Sequence, residues 1–350
     1  MPLTVSSLVD EARRLARAGD QAEVAFTDAL DLLLRSCRGT AELSSLGWQV
    51  LAKAALRHLR NQLYLQRYLA ARPEPGPPPA AECVVITGLP RTGTSLLHQL
   101  LALDPANRVL RVWEALHPIP PGAEAGISEE VLVDKAAVWL ERLYAMAPEL
   151  RAIHPLDAEA PEECDVLLQN TFASQHFDDM FDAREYSSWL NGADLSAHYA
   201  HYALQLRVLA GHGRDGRPWV LKSPGHLGHL PELVASLPGC KVVHCHRHPA
   251  EAVPSYASLV RAVRRPYSEV SPAVVGQQCL SRCGQAVERA LAFRQWGEGA
   301  VIDVSYRDLV RDPVRVVGWV YEGVGRAVGP SFRARMVEWL HHNPQHKHGR

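Results

Sequence analysis

Residues 82–104, ECVVITGLPRTGTSLLHQLLALD, set an apolar run, a turn holding two glycines and a second apolar run in immediate succession. The β-branched stretch Val84-Val85-Ile86-Thr87 favours a strand, and the leucine-rich stretch from Thr94 favours a helix. A strand that turns tightly into a helix is the opening βα unit of a parallel sheet. In such a unit the N–H groups of the turn and of the first helical turn converge on one point. Gly88 and Gly93 supply the backbone freedom that the turn requires. The segment therefore predicts a cradle for an anion.

What the turn lacks narrows the anion. A nucleoside-triphosphate loop reads G-x-x-x-x-G-K-[ST], whereas here Thr94 and Ser95 follow Gly93 directly and the lysine is missing. Such enzymes also hold Mg²⁺ on an acid closing another strand. The later candidate strands end instead in Lys222 and Arg247. A metal-free, phosphate-containing ligand held by Arg91, hydroxyls and backbone amides fits these residues better than a Mg-triphosphate. A P-loop kinase-like nucleotide enzyme is the competing reading; it requires Mg²⁺ and an acidic strand end.

Lys241 to Leu259 repeats the strand-turn-helix pattern, with Arg247 at the strand end and Ser255 eight residues further on, inside the next helix. The planar guanidinium of Arg247 suits a phosphate, and the Ser255 hydroxyl lies two turns along. Two anion sites on one sheet suggest one ligand with two phosphates.

These segments resemble the sulfotransferase superfamily that uses 3′-phosphoadenosine 5′-phosphosulfate (PAPS), in its bacterial and tyrosylprotein-type branch, whose first loop reads G-x-P-R-[ST]-G-T. Gly88-Leu-Pro-Arg-Thr-Gly-Thr-Ser95 is similar to that loop, and Arg247 and Ser255 to the family's 3′-phosphate pair. Arg111 to Ala115, Trp219 to His226 and Val304 to Leu309 also agree, so the resemblance spans roughly residues 82–342. It implies a donor site built from Gly88, Pro90, Arg91, Thr92, Gly93, Thr94, Ser95, Arg247, Ser255 and Tyr306. It further implies that Arg91 and Lys222 stabilise the departing 5′-phosphate, and that no metal takes part. For the general base it offers Glu114, shortly after the first helix, or His226, four residues beyond Lys222. The acceptor would be a small molecule or lipid bearing a hydroxyl or amine, with His154, Phe172, Phe177 and Trp189 as candidate pocket residues. Lys347-His-Gly-Arg350 is a faint echo of the family's late R-K-G loop, which keeps open a catalytically impaired protein that binds PAPS or its product, PAP.

Other clusters read as structural. Glu162, Glu163 and Asp165 follow Pro161 at a helix start, where acids favour the dipole. The run Cys240 to His248 is dense in soft ligands, but strand alternation sends them to opposite faces, so a closed metal site is not expected. His341, His342, His346 and His348 read as a solvated end. Seven scattered cysteines, with no C-x-x-C pair, argue against a disulfide framework.

The organisation follows from punctuation. Residues 1–72 read as a helical region with Leu51, Ala55, Leu59 and Leu63 on one face, and the proline-rich stretch 73–80 as a stiff linker. Residues 81–350 then form an α/β domain, with a helical acceptor-site insertion at about 115–215. Within that insertion, Ser128 to Ala147, Pro161 to Phe181 and Asp194 to Gly211 are the expected helices. Strands near 83–87, 218–222, 241–246 and 300–304 predict a P-loop-like open parallel sheet with helices on both faces, and a ligand at the strands' carboxyl ends. A net charge of −1 gives no global attraction to nucleic acid. The first 20 residues carry acids among short apolar pairs, so no signal peptide or stable membrane insertion is expected and the expected location is cytoplasmic. Oligomeric state is left open.

Overall fold

The apolar spacing along the first 70 residues resolves into three helices: α1 (Val5–Ala16), α2 (Thr27–Thr40) and α3 (Ser45–Ala71). The computed structural model describes residues 3–72, 83–121, 127–153, 155–213, 216–296 and 301–344. The proline-rich stretch 73–80, His154, His346 and His348 lie outside these residues. Leu51, Ala55, Leu59 and Leu63 of α3 are all buried, as their common face requires.

The sheet begins with β1 (Val84–Gly88) and turns into α4 (Thr94–Ala102). There follow β2 (Arg108–Val109), α5 (Val112–Leu116), α6 (Glu129–Met146), α7 (Leu150–Ile153), α8 (Asp165–Leu168), α9 (Gln175–Phe181), α10 (Arg184–Gly192) and α11 (Ser196–Gly213). The chain then alternates through β3 (Trp219–Lys222), α12 (Leu230–Ser236), β4 (Lys241–His246), α13 (Pro249–Arg264), α14 (Pro272–Trp296) and β5 (Val301–Ser305). It closes with α15 (Tyr306–Arg311), α16 (Pro313–Gly323) and α17 (Pro330–His342).

Among the described residues the five strands form one parallel sheet in the order β2-β3-β1-β4-β5. Central β1 is buried at every position, as a strand covered on both faces must be. Val85, Leu221 and Val242 face a cluster that also takes in α1–α3 and the helices of the insertion. Val84, Ile86, Val220, Val243 and Val304 face the opposite cluster, with α4, α16 and α17. The expected α/β fold, with helices on both faces of an open parallel sheet, is the one observed. Two-residue β2 was missed because it is too short to carry a period.

Register then brings the chemistry to one edge. Gly88 pairs with Cys245, and Ile86 with Lys222, so the loop after β1, Lys222, and Arg247 after β4 all leave the sheet at its carboxyl end. All seven cysteines are buried and free of disulfides. No described helix is long and apolar enough to cross a membrane.

Candidate functional site

The turn after β1 is built on positive φ. Gly88 (149°), Arg91 (70°) and Gly93 (91°) all lie on that side, and Gly93 is the N-cap of α4. A Cβ on Gly88 would stand 2.4 Å from the Cys245 carbonyl oxygen, and one on Gly93 would meet Leu309 and Tyr306 at 3.0 Å. Thr92 Oγ1 ties the turn by donating to the Leu89 carbonyl at 2.7 Å. The first N–H groups of α4 have no intrahelical acceptor, and Gly93, Thr94 and Ser95 line a cavity of about 1090 Å³.

Four predicted donor-site side chains meet here. Arg91 Nε donates to Ser255 Oγ at 3.2 Å, and Arg247 Nη1 donates to the Arg91 carbonyl at 3.0 Å. The Arg247 guanidinium lies over the Tyr306 ring at 4.3 Å from its centre, while its Nε donates to Glu251 at 3.0 Å. Burial, and then the like charge of Arg247, lower the pKa of Arg91. Two guanidinium groups held together at a helix N-terminus form an electrostatic sink for an anion.

The same cavity carries an acidic corner. Glu162, Glu163, Asp165 and His176 all line it. Lys222 Nζ donates to Glu163 Oε1 at 2.5 Å, and Glu163 Oε2 faces His176 Nε2 at 3.7 Å. Asp165 accepts from Ser174 Oγ and stands 3.6 Å from His176 Nδ1. Burial opposes charge on His176, but Asp165 and Glu163 outweigh it and raise its pKa to about 10. Burial is likewise the leading cause that raises Glu162 and Asp165.

The sulfotransferase family profile matches residues 83–329, more than half of the chain. This chain belongs to the sulfotransferase family. Sulfotransferase STF1 of Mycobacterium tuberculosis H37Rv shares its fold with a TM-score of 0.85 and 27% identity, over 96% of this chain and 93% of that one. Sulfotransferase STF9 of Mycobacterium avium follows with a TM-score of 0.81 and 25% identity, over 98% of this chain and 88% of that one. None of the curated proteins matches the sequence.

The two residues that the resemblance offered as general base lie elsewhere in the sulfotransferase. Glu114 is buried away from the cavity lining, with Oε1 accepting from Arg108 at 2.7 Å and Oε2 capping α5 through the Arg111 N–H at 3.0 Å. His226 is fully buried between Tyr199 (2.9 Å) and Cys164 (3.1 Å), and burial lowers its pKa to about 3. Lys222 reaches the cavity only through Glu163.

Of the acids read as helix caps, Glu163 and Asp165 have another place, because α8 is only four residues long and their carboxylates turn to Lys222, Ser174 and His176, while Glu162 accepts from the Glu163 N–H. Their clustering, Glu162-Glu163-Cys164-Asp165, was the only signal in the sequence. Phe177 lines the cavity, whereas Phe172 is core and Trp189 packs on Tyr186 and His198. The soft-ligand strand does alternate: His244 and His246 share a face with Asp303 of β5, which His246 and Arg294 already bind. That cluster is not part of the cavity lining.

Proposed function

We propose that this sulfotransferase transfers the sulfuryl group of PAPS to a hydroxyl, or an amine, of a small-molecule or lipid acceptor, with Glu163 as the general base. The observation that carries the reading is the single cavity joining the Arg91–Ser255–Arg247–Tyr306 junction to the Glu163–Lys222 pair. A cradle in which a Cβ on Gly93 would collide, and two arginines set side by side, fit a ligand with phosphates at two points.

In this reading the amides of Gly93, Thr94 and Ser95 and the Arg91 guanidinium hold the 5′-phosphosulfate, while Arg247 and Ser255 hold the 3′-phosphate. Tyr306, already stacked on Arg247, borders the nucleoside. The acceptor oxygen attacks sulfur, the bond from sulfur to the 5′-phosphate oxygen breaks, and the acceptor proton passes to Glu163. The products are the sulfate ester and PAP. Lys222 is a positioning residue that fixes the Glu163 carboxylate. Charge growing on the 5′-phosphate is met by donors already in place, so little reorganisation is needed. Glu163 replaces Glu114 as the proposed base because a base must reach the acceptor proton, and Glu163 alone of the two borders the cavity.

The test is calorimetric titration of the protein with PAP, with and without Mg²⁺ and beside ATP, followed by labelled PAPS with an acceptor panel. Metal-independent PAP binding that fails in Arg247→Ala supports the donor site. Tight binding of ATP only with Mg²⁺ would decide for the kinase-like reading.

A further inference from the structure

Beyond the acidic corner the cavity is walled by α3 and α6. Lys53 and Arg57 stand one turn apart on α3, and Trp139, Arg142, Leu143 and Met146 occupy one side of α6. The Arg57 guanidinium lies 5.6 Å from the centre of the Trp139 ring. Its polar partners are neutral: Nη2 lies 3.3 Å from Gln169 Oε1 and 3.3 Å from His58 Nε2. Its buried Nε has no partner at all among the described residues. Burial lowers its pKa to about 10. His58 is neutral here, since burial and the neighbouring Arg57 hold its pKa well below the usual value, so it brings no negative charge.

Every cavity carboxylate is engaged elsewhere. Glu163 is held by Lys222, Asp165 by Ser174, Asp179 by Tyr256 and Arg282, and Glu162 accepts from the Glu163 N–H. Among the described residues no carboxylate lies within ion-pair distance of Arg57, Lys53 or Arg142. A half-buried guanidinium with an unmade hydrogen bond and no counter-ion is costly. With exposed Lys53 and Arg142 on the same cavity wall, this end of the cavity is charged to receive an anion. We propose that the acceptor itself is anionic: an apolar molecule whose carboxylate, phosphate or sulfate group sits at Arg57, with Lys53 and Arg142 flanking it, while its hydroxyl faces Glu163.

The spacing between the two groups is readable. From Arg57 the contacts run to Gln169 (3.3 Å), from Gln169 Nε2 to His176 Nδ1 (2.8 Å), and from His176 to Glu163 (3.7 Å). One amide and one imidazole therefore separate the anion from the reacting hydroxyl. Val166, Phe177 and Met146 give the molecule between them an apolar lining. This inference rests on Glu163 marking the reacting end.

The experiment compares two phenols of equal shape, 3-(4-hydroxyphenyl)propanoate and its neutral amide, titrated calorimetrically with and without saturating PAP. The acid is expected to bind about tenfold more tightly than the amide. The preference should vanish in Arg57→Gln, survive in Arg57→Lys and weaken in Lys53→Gln/Arg142→Gln, with PAP affinity unchanged in all three. Equal affinities, no detectable binding of the acid, or a preference that survives Arg57→Gln would overturn the anion subsite. Failure of PAP to bind the unaltered protein would instead overturn the donor-site reading, and the comparison of the phenols made without PAP still decides the subsite.

Discussion

At the scale of single residues, the division of labour between Glu163 and Arg247 is separable by kinetics. Glu163→Gln removes the proton acceptor but keeps the shape and a contact to Lys222, so kcat should fall at least about 100-fold while PAP affinity holds. Arg247→Ala removes a charged donor set over Tyr306 and should weaken PAP binding about 10- to 100-fold, the range of one charge-assisted hydrogen bond. Turnover with labelled PAPS and PAP titration read the two effects apart; equal losses of PAP binding in both variants would refute the assignment. The residues proposed for the donor site could be picked out because each belongs to a short strand-turn-helix segment, and the structure brings Arg91, Ser255, Arg247 and Tyr306 from three such segments to one place. Glu163, the proposed base, could not be, because its partners Lys222 and His176 come from β3 and α9, later in the chain. Behind Pro161 it looked like any acid opening a helix.

At the scale of elements, two short structures carry the site and answer differently to mutation. The β1–α4 turn tolerates nothing larger than glycine at position 93: φ is +91°, and a Cβ there meets the Tyr306 ring at 3.0 Å. Gly93→Ala should therefore lose PAP binding with only a modest loss of stability, about 1–2 kcal/mol, as left-handed backbone strain is confined to one residue. Calorimetry beside urea unfolding separates the two. Helix α5 behaves in the opposite way. Buried Glu114 closes its first turn and neutralises half-buried Arg108, so Glu114→Ala leaves that guanidinium without its carboxylate. Breaking such a pair costs about 3–5 kcal/mol, and the expected result is a protein markedly easier to unfold in urea whose folded fraction still binds PAP. Strands β1, β3, β4 and β5 and helix α4 were visible in the sequence because each carries a sustained apolar run. The pairing that places Glu114 was not, since a charged residue beside a helix start shows neither its burial nor its partner.

At the scale of the whole molecule, several buried or half-buried imidazoles must stay neutral in the fold. Burial holds His98 and His226 at a pKa of about 3, and burial is the leading cause that holds His117, His198, His201 and His244 at about 4. An unfolded chain protonates the same rings near pH 6.5, so their contribution to stability is complete above that pH and is lost as the pH falls toward the folded values. For His98 and His226, both buried, the loss is about 2 kcal/mol each by pH 5. The acidic corner pulls the other way. Asp179, raised to about 6 chiefly by burial, and the raised Glu162 and Asp165 bind protons more readily folded than unfolded, and so gain stability over the same interval. His176, at about 10, keeps its full contribution below pH 6.5 and loses it only as the pH rises through 10. With His58, which burial also holds well below its usual value, seven depressed imidazoles outweigh three raised carboxylates, so the unfolding free energy from urea titration should fall steadily between pH 7 and pH 5, with net proton uptake on unfolding. His98→Gln should flatten that slope, since its side-chain amide retains a donor for the Val220 carbonyl without a titrating ring. Stability that is constant or rising toward pH 5 would mean that the carboxylates of the cavity, rather than the buried histidines, set the acid limit of the fold.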